Sequence, residues 1–318
     1  MAAGRGAVAG DPRDRRRADD DVRLTAFHSL RFRDYRLLWA GAVISNTGTW
    51  MQNVALSWYV FTLTRSAFWV GAVAFASFFP MWLSPLGGVL ADRFDRRRIL
   101  LATQSVMMIA ATALAVLVGT GRATLAPVMG LTLLGGFAFS IDAPTRQAFF
   151  PSLVPRDAMV NAIALNSAQF SLARVIGPAI AGTMIAAFGV APVFWINAVS
   201  FLAVLAALTT VRERPRTMEG EAPAQGLRAG LAYAWRHPVI RVLIASIAVL
   251  SVFAGPISAL LPVFADEVFR RGPTGLGALA AAMGAGSVLG AIVLGRIGRV
   301  RPRMVAAGVA LAGGALTL

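Results

Sequence analysis

Apolar residues fill the chain in long blocks, and polar residues are confined to short intervals between them. Apolar runs of 18 or more residues with few charges are too long for ordinary core helices and read as membrane spans. Such runs fall at about 37–62, 68–91, 98–119, 124–142, 160–187 and 191–210. A polar interval at 211–238 follows, then spans at about 239–263 and 275–295, and a ninth that begins near 304 and is still apolar at Leu318. Ahead of the first span, residues 1–30 include "GDPRDRRRADDDVR", a polar arm with no apolar signal-peptide core that is expected to be disordered. The stretches "FHSLRFRDYRLLW" and "LRAGLAYAWRHP" read as amphipathic helices lying on the membrane surface.

Composition agrees with the pattern. The chain is 57% hydrophobic and 14% charged, with a mean hydropathy of +0.67; a soluble domain carries about 25% charged residues. It has no cysteine, which excludes disulfides and thiolate metal sites. The net charge of +15 would suit a nucleic-acid binder, but the cations are all arginines in short clusters between apolar runs, which is a membrane-topology signal. Residues 1–36 and the intervals at 92–98, 143–159, 211–241 and 296–303 hold 25 of the 30 arginines, whereas the opposite intervals hold Arg65, Arg122, Arg270 and Arg271. Arginines oppose translocation, so the N-terminus and the 211–238 interval are expected to be cytoplasmic, in a multi-pass protein of the cell membrane. The expected organisation is a cytoplasmic arm (1–30), a six-helix N-terminal half (31–210), a cytoplasmic linker (211–238) and an incomplete C-terminal half (239–318) with helices 7, 8 and part of 9.

Six ionisable side chains gather in seven positions, Asp92 to Arg98, within "GGVLADRFDRRR" (residues 87–98), in the turn between the second and third spans. A second copy, "GAIVLGRIGRVR" at 290–301, aligns with it at an offset of 203 residues and again follows an even-numbered span. Two halves of about six helices joined by a polar linker form an internal repeat of the kind transporters use. The offset implies a full length near 400 residues, so about three helices are expected beyond Leu318.

The chain resembles the major facilitator superfamily, in its multidrug and siderophore exporter branch. The likeness rests on "SLRFRDYRLLWAGAVISNTGTWMQNVALSWYVFTLTRSAFWVGAV", on "GGVLADRFDRRR" as the superfamily's G-x-x-x-D-R-x-x-R-R loop, on "DAPTRQAFFPSLVPRDAMVNAIALNS" and on "RVIGPAIAGTMI". Asp95 departs from the family's usual glycine, and the second copy carries Gly295 in place of Asp92. The resemblance implies a fold of two six-helix halves. It also implies a gating loop of Gly88, Asp92, Arg93, Arg96 and Arg97 that latches the halves in one state and releases them in the other. The alternative is that these charges only set topology.

Within the spans, each polar residue is open to more than one reading. Asn46, Thr49 and Asn53 form a stripe on span one that continues to Ser57, with Gln52 beside it; it faces either a substrate cavity or neighbouring helices. Arg174 lies about 20 Å into span five and needs a partner or water there. It is assigned to the substrate cavity with Asn166 and Phe170, its partner an anionic substrate, Asp142 or a carboxylate in the helices expected beyond Leu318, or else to a structural role bonded to backbone carbonyls or to Asp142. Asp142, near the cytoplasmic end of span four, is the proton-coupling carboxylate, a helix-end cap or the partner of Arg146. Gly177, Pro178 and Gly182 resemble the fifth-helix packing motif of superfamily antiporters. Trp50 and Trp58 lie deep enough to meet a flat substrate.

No phosphate-binding loop is present, and His28 and His237 are isolated, so no ATP drive, metal, cofactor or enzymatic chemistry is expected. The expected function is secondary-active, proton-coupled export of an amphiphilic small molecule, drug or siderophore-like, by alternating access. The expected partners are membrane lipid, the small-molecule substrate and protons, without nucleic acid, and the protein is expected to be a monomer. The competing reading is a truncated or non-transporting membrane protein, receptor-like or inactive.

Overall fold

A computed structural model of the chain describes residues 27–211 and 260–297, together with scattered residues between 233 and 241. Its helices are α1 (Arg33–Thr64), α2 (Ala67–Phe78), α3 (Ser84–Arg93), α4 (Arg96–Gly119), α5 (Leu125–Ser152), α6 (Met159–Phe188), α7 (Ala191–Thr210) and α8 (Gly272–Ile297). No strand occurs among the described residues. The predicted seventh and ninth spans, the linker and its amphipathic helix, and Arg299 and Arg301 of the second loop copy lie wholly or largely outside the described residues.

Among the described residues, five helical segments are long and apolar enough to cross a membrane: Ala67–Arg93, Arg96–Gly119, Leu125–Ser152, Arg156–Phe188 and Ala191–Thr210. The first comprises α2 and α3, which a 3₁₀ turn at Phe79–Leu83 joins where Pro80 and Pro85 interrupt the α-helical bonding. α1 is 32 residues long, but Asn46, Thr49, Gln52 and Asn53 lower the hydropathy of its middle.

The lead-in is a 3₁₀ turn at His28–Arg31 that runs directly into α1 and packs on the start of α6. Ser29 Oγ donates to the Ala158 carbonyl (2.9 Å), Tyr35 Oη to Ala162 (2.8 Å) and Trp39 Nε1 to Leu165 (3.0 Å). α5 departs from the sequence expectation: it continues ten residues past the expected end at 142, through Pro144 and Pro151. A helix bundle tolerates proline within a helix, and the Ser140 carbonyl that Pro144 leaves without its helical N–H lies against Gly87 of α3. Asp142 is therefore about 15 Å from the end of its helix, not at a helix-end cap.

The core has two apolar clusters along the bundle. One lies toward the arginine-rich turns around Tyr35, Phe149, Phe150 and Phe201, and the other toward the opposite end around Phe61, Leu114, Phe194 and Leu276. Leu276 belongs to α8, so the second cluster joins the two halves. α8 crosses α6 at glycine against glycine: a Cβ added at Gly182 would lie 2.8 Å from the Gly277 Cα. At the end opposite the arginine-rich turns, Arg65 pairs with Asp266 across the halves at 3.0 Å.

The 87–98 loop is tied down within the first half. Asp95 caps α4 by accepting from the Arg98 N–H at 3.2 Å, so this departure from the family pattern supplies a standard N-cap. Arg96 is buried and donates to the carbonyls of Ala91 (3.1 Å) and Ala148 (3.2 Å), with Asp92 3.6 Å away. Arg97 donates to the carbonyls of Leu208 and Thr209, two acceptors that the end of α7 leaves without helical partners. Arg93 is exposed.

The two glycines of the motif differ in their surroundings. A Cβ at Gly87 would meet Ile141 Cα at 2.8 Å and the Ser140 carbonyl at 2.9 Å, whereas one at Gly88 would meet nothing within 4 Å. Gly87→Ala is thus expected to destabilise the fold by about 1–3 kcal/mol through overpacking of the α3–α5 contact. Gly88→Ala is expected to be neutral or stabilising by up to about 1 kcal/mol, because alanine favours helix. Thermal melts of the two variants in detergent check the contrast.

Candidate functional site

α6 approaches α1 most closely at Gly177, where an added Cβ would lie 2.7 Å from Trp50 Cβ and 2.9 Å from the Thr47 carbonyl. This contact sets the Trp50 indole beside α6, and one turn earlier Arg174 lays its guanidinium over that ring, 5.5 Å from the centroid. Phe170, a further turn back, meets Trp50 edge to face at 5.8 Å. On the opposite side, α8 seats Gly284 against the Arg174 backbone, with a virtual Cβ 2.8 Å from its carbonyl oxygen. Arg174 is therefore held at the joint between the halves.

A cavity of about 170 Å³ opens there. α1 contributes Trp50, Asn53, Val54, Leu56 and Ser57, and α2 contributes Val70, Val73, Ala74, Ser77 and Phe78. Arg174 and Pro178 come from α6, and Leu276, Ala280 and Met283 from α8, with Leu261 just before it. The described lining contains one cation, three neutral polar side chains and no acid. A guanidinium over an indole in an apolar pocket gains a cation–π contact of about 0.5–2 kcal/mol, while its N–H donors remain available to a ligand.

The polar stripe of α1 divides between this cavity and the neighbouring helices. Asn53 and Ser57 line the cavity. Thr49 and Gln52 do not: Asn197 of α7 donates to Gln52 Oε1 at 2.7 Å, and Thr49 Oγ1 reaches Asn197 Oδ1 at 3.5 Å. The cause is the 3.6-residue repeat, which turns Gln52 about 100° from Asn53 and toward α7. Asn46 is also outside the cavity, buried two turns from Asn53 and bonded to α5 and α6. Asn166 and Phe170 share the Arg174 face of α6 but lie beyond the lining, Asn166 accepting from Gln169 and Phe170 standing 40% exposed.

Asp142 is fully buried and pairs with Arg146, not with Arg174. Arg146 Nε and Nη2 both donate to Oδ2, the former at 3.0 Å. Oδ1 accepts from Thr103 Oγ1 at 2.9 Å and Gln104 Nε2 at 2.8 Å, both on α4. The remaining Arg146 donor, Nη1, reaches Asn46 Oδ1 at 2.9 Å. A buried carboxylate needs this many donors to remain in the bundle. Sequence reasoning passed over Thr103, Gln104, Gln169 and Asn197, although the test applied to span one, polar residues inside an apolar run, would have selected them. The Arg65–Asp266 pair had no such signal, because its members lie in separate turns 201 residues apart.

Of the packing residues, Gly177 contacts α1, Gly182 contacts α8 and the Pro178 carbonyl lies against Gly277. Among the described residues no group of three or more His, Cys, Asp or Glu side chains is placed to hold a metal ion.

Comparison with known proteins agrees with this architecture. The chain matches the transmembrane secretion effector family over residues 24–317. It is 28% identical over 255 residues to the staphyloferrin A transporter of Staphylococcus aureus, covering 79% of this chain and 64% of that one. It is 28% identical over 268 residues to the multidrug efflux pump Tap of Mycolicibacterium fortuitum, covering 80% and 65%. It is 27% identical over 274 residues to the enterobactin exporter EntS of Escherichia coli, covering 85% and 65%. The chain thus spans 64–65% of the length of these relatives. In structure it is similar to a bacterial homologue of the human lysosomal transporter Spinster, solved inward-facing and unoccupied. The TM-score is 0.64 at 14% identity, over 83% of this chain and 63% of that one. It is also similar to the peptide-transporter family member PepTSo, with a TM-score of 0.50 at 15% identity over 79% and 53%. The apolar helices, the loop between the second and third spans and the family match over nearly its whole length show a multi-pass membrane protein that belongs to the transmembrane secretion effector family of the major facilitator superfamily.

Proposed function

We propose that the protein exports an anionic, amphiphilic small molecule by alternating access, driven by protons moving in the opposite direction. The observation that carries this reading is Arg174 over Trp50, a cation with free donors in an otherwise neutral and mostly apolar cavity between the halves. An anion with a flat apolar body satisfies both features, its charge at the guanidinium and its body along Trp50 and the apolar walls. The relatives named above are siderophore and drug transporters, which supports a substrate of this kind.

Asp142 carries the proton in this reading. It is a buried carboxylate whose ion pair with Arg146 is present in one protonation state and lost in the other. Substrate and proton occupy the protein alternately, and each releases the other. The Arg65–Asp266 pair holds the halves together at one end of the joint, and the 87–98 loop is the latch at the other, cytoplasmic end, closing across the halves in one state and releasing them in the other. Gly177, Pro178 and Gly182 keep α6 tight against α1 and α8 throughout.

Energised vesicles provide the test. Export is expected to stop when a protonophore collapses the pH gradient. Arg174→Ala is expected to cut export of an aromatic sulfonate or carboxylate by tenfold or more, about the 1.5–3 kcal/mol of a charge-assisted hydrogen bond, and to spare neutral compounds. Arg174→Lys should recover only part of it, since an ammonium lacks the planar fork and ring stacking of arginine. Asp142→Asn is expected to abolish gradient-driven export while downhill exchange of substrate continues. Unchanged export of every compound by a folded Arg174→Ala protein would overturn the reading.

A further inference from the structure

We propose that Asn46 and Gln169 form a directional hydrogen-bond relay that carries the protonation state of Asp142 to the α6 face bearing Asn166, Phe170 and Arg174. Gln169 is then a positioning residue for coupled transport. The inference rests on the reading of Asp142 as the proton carrier, and it names the element that links that carboxylate to the substrate.

The relay runs through three helices. Arg146 Nη1 of α5 donates to Asn46 Oδ1 of α1 at 2.9 Å, Asn46 Nδ2 donates to Gln169 Oε1 of α6 at 3.0 Å, and Gln169 Nε2 donates to Asn166 Oδ1 at 3.1 Å. Each carboxamide accepts on its oxygen and donates through its nitrogen, so all three bonds point the same way. Their direction is fixed at the source, because a guanidinium only donates: Asn46 must turn its oxygen to Arg146, and Gln169 must then turn its oxygen to Asn46. Bonds in such a chain polarise one another. Asn46 and Gln169 are 5% and 2% exposed, so water does not replace a lost partner at either residue.

The source of the relay has two states. Ionised Asp142 holds Arg146 through Nε and Nη2. A protonated Asp142 loses that ion pair but keeps a partner on α4. Thr103 Oγ1 lies 2.9 Å from Asp142 Oδ1 and 3.2 Å from the Leu100 carbonyl, and has one proton for two acceptors. When Asp142 takes a proton, the hydroxyl turns to Leu100 and accepts from the acid. Arg146, no longer held by an anion, is free to shift, and its bond to Asn46 shifts with it.

Arg146 is the charged side chain in contact with Asp142. α4 presents the neutral Thr103 and Gln104, and α1 presents Asn46 to Arg146. The charged α3–α4 turn meets α5 at Ala148 through Arg96, and on α6 Arg174 faces Trp50. Among the described residues no competing charge intervenes in the contacts along the relay. At its far end Asn166 lies one turn from Phe170 and two from Arg174, on the same helix face.

The test is isothermal titration of the purified protein with naphthalene-2-sulfonate, an aromatic anion that stays ionised at acid and alkaline pH. Wild type is expected to bind about tenfold more tightly at alkaline pH, where Asp142 is ionised and the relay is set, a coupling within the usual allosteric range. Gln169→Met keeps the side-chain volume and removes both relay bonds. It is expected to bring the ratio below about twofold while leaving the alkaline affinity within about threefold of wild type. Retention of the tenfold ratio by Gln169→Met overturns the relay, as does a wild type with no pH dependence or no binding of the probe. Asp142→Asn separates the two claims: if it loses the ratio and Gln169→Met keeps it, the relay fails and the proton site stands. If Asp142→Asn itself keeps the ratio, the proton site fails. Should Gln169→Met not fold, Asn166→Ala at the half-buried end of the relay is read by the same criteria.

Discussion

A carboxylate fully buried in a membrane helix bundle must be neutralised where it lies, and the first six-helix half is organised around that requirement at Asp142. The partner is on the same helix, Arg146 one turn away, and the remaining acceptor capacity is filled by Thr103 and Gln104 from α4. Meeting this demand has further consequences. Arg146 is itself a buried cation with a donor left over, which draws Asn46 of α1 inward, and Asn46 in turn orders Gln169 of α6. One ionised group thus fixes the rotation of four helices about their axes. Removing either member of the pair would leave an uncompensated buried charge, at a cost of about 3–5 kcal/mol.

Close backbone approach is the second constraint, and it determines where the cavity can be. α6 lies against α1 at Gly177 and against α8 at Gly182, so the space between the halves opens beside these contacts, where Trp50 and Arg174 face it. The arginine is stacked, not buried in an ion pair, which leaves it able to meet an anion. Gly87 does for the α3–α5 contact what Gly182 does for α6–α8, and this gives part of the loop motif a packing role separate from any latch.

The spans and their order were legible in the sequence because hydropathy reports burial in lipid directly; α7 was expected at 191–210 and is found at Ala191–Thr210. The end of α5 was not legible, since Pro144 reads as a helix breaker and only the tertiary setting shows the bundle absorbing it. The depth of Asp142 was lost with it. The α1 stripe was identified as a polar feature, but its partition could not be read from α1 alone. Whether Gln52 faces a cavity or Asn197 depends on where α7 packs, and that is set by contacts more than 140 residues away in sequence. Arg174 was expected to need a partner or water; among the described residues it meets the Trp50 ring, and Asp142 is taken by Arg146. The loop's Arg97 was legible as a charge and not as a cap, because its acceptors are main-chain carbonyls at the end of a distant helix.

The central claim is that the charge on Asp142 changes during the cycle, and infrared difference spectroscopy on the protein reconstituted in lipid tests it most directly. Acidification should produce the carbonyl stretching band of a protonated, buried carboxylic acid, and Asp142→Asn should abolish that band. A band that persists unchanged in the variant, or no band in the wild type over the range in which transport operates, would contradict the account.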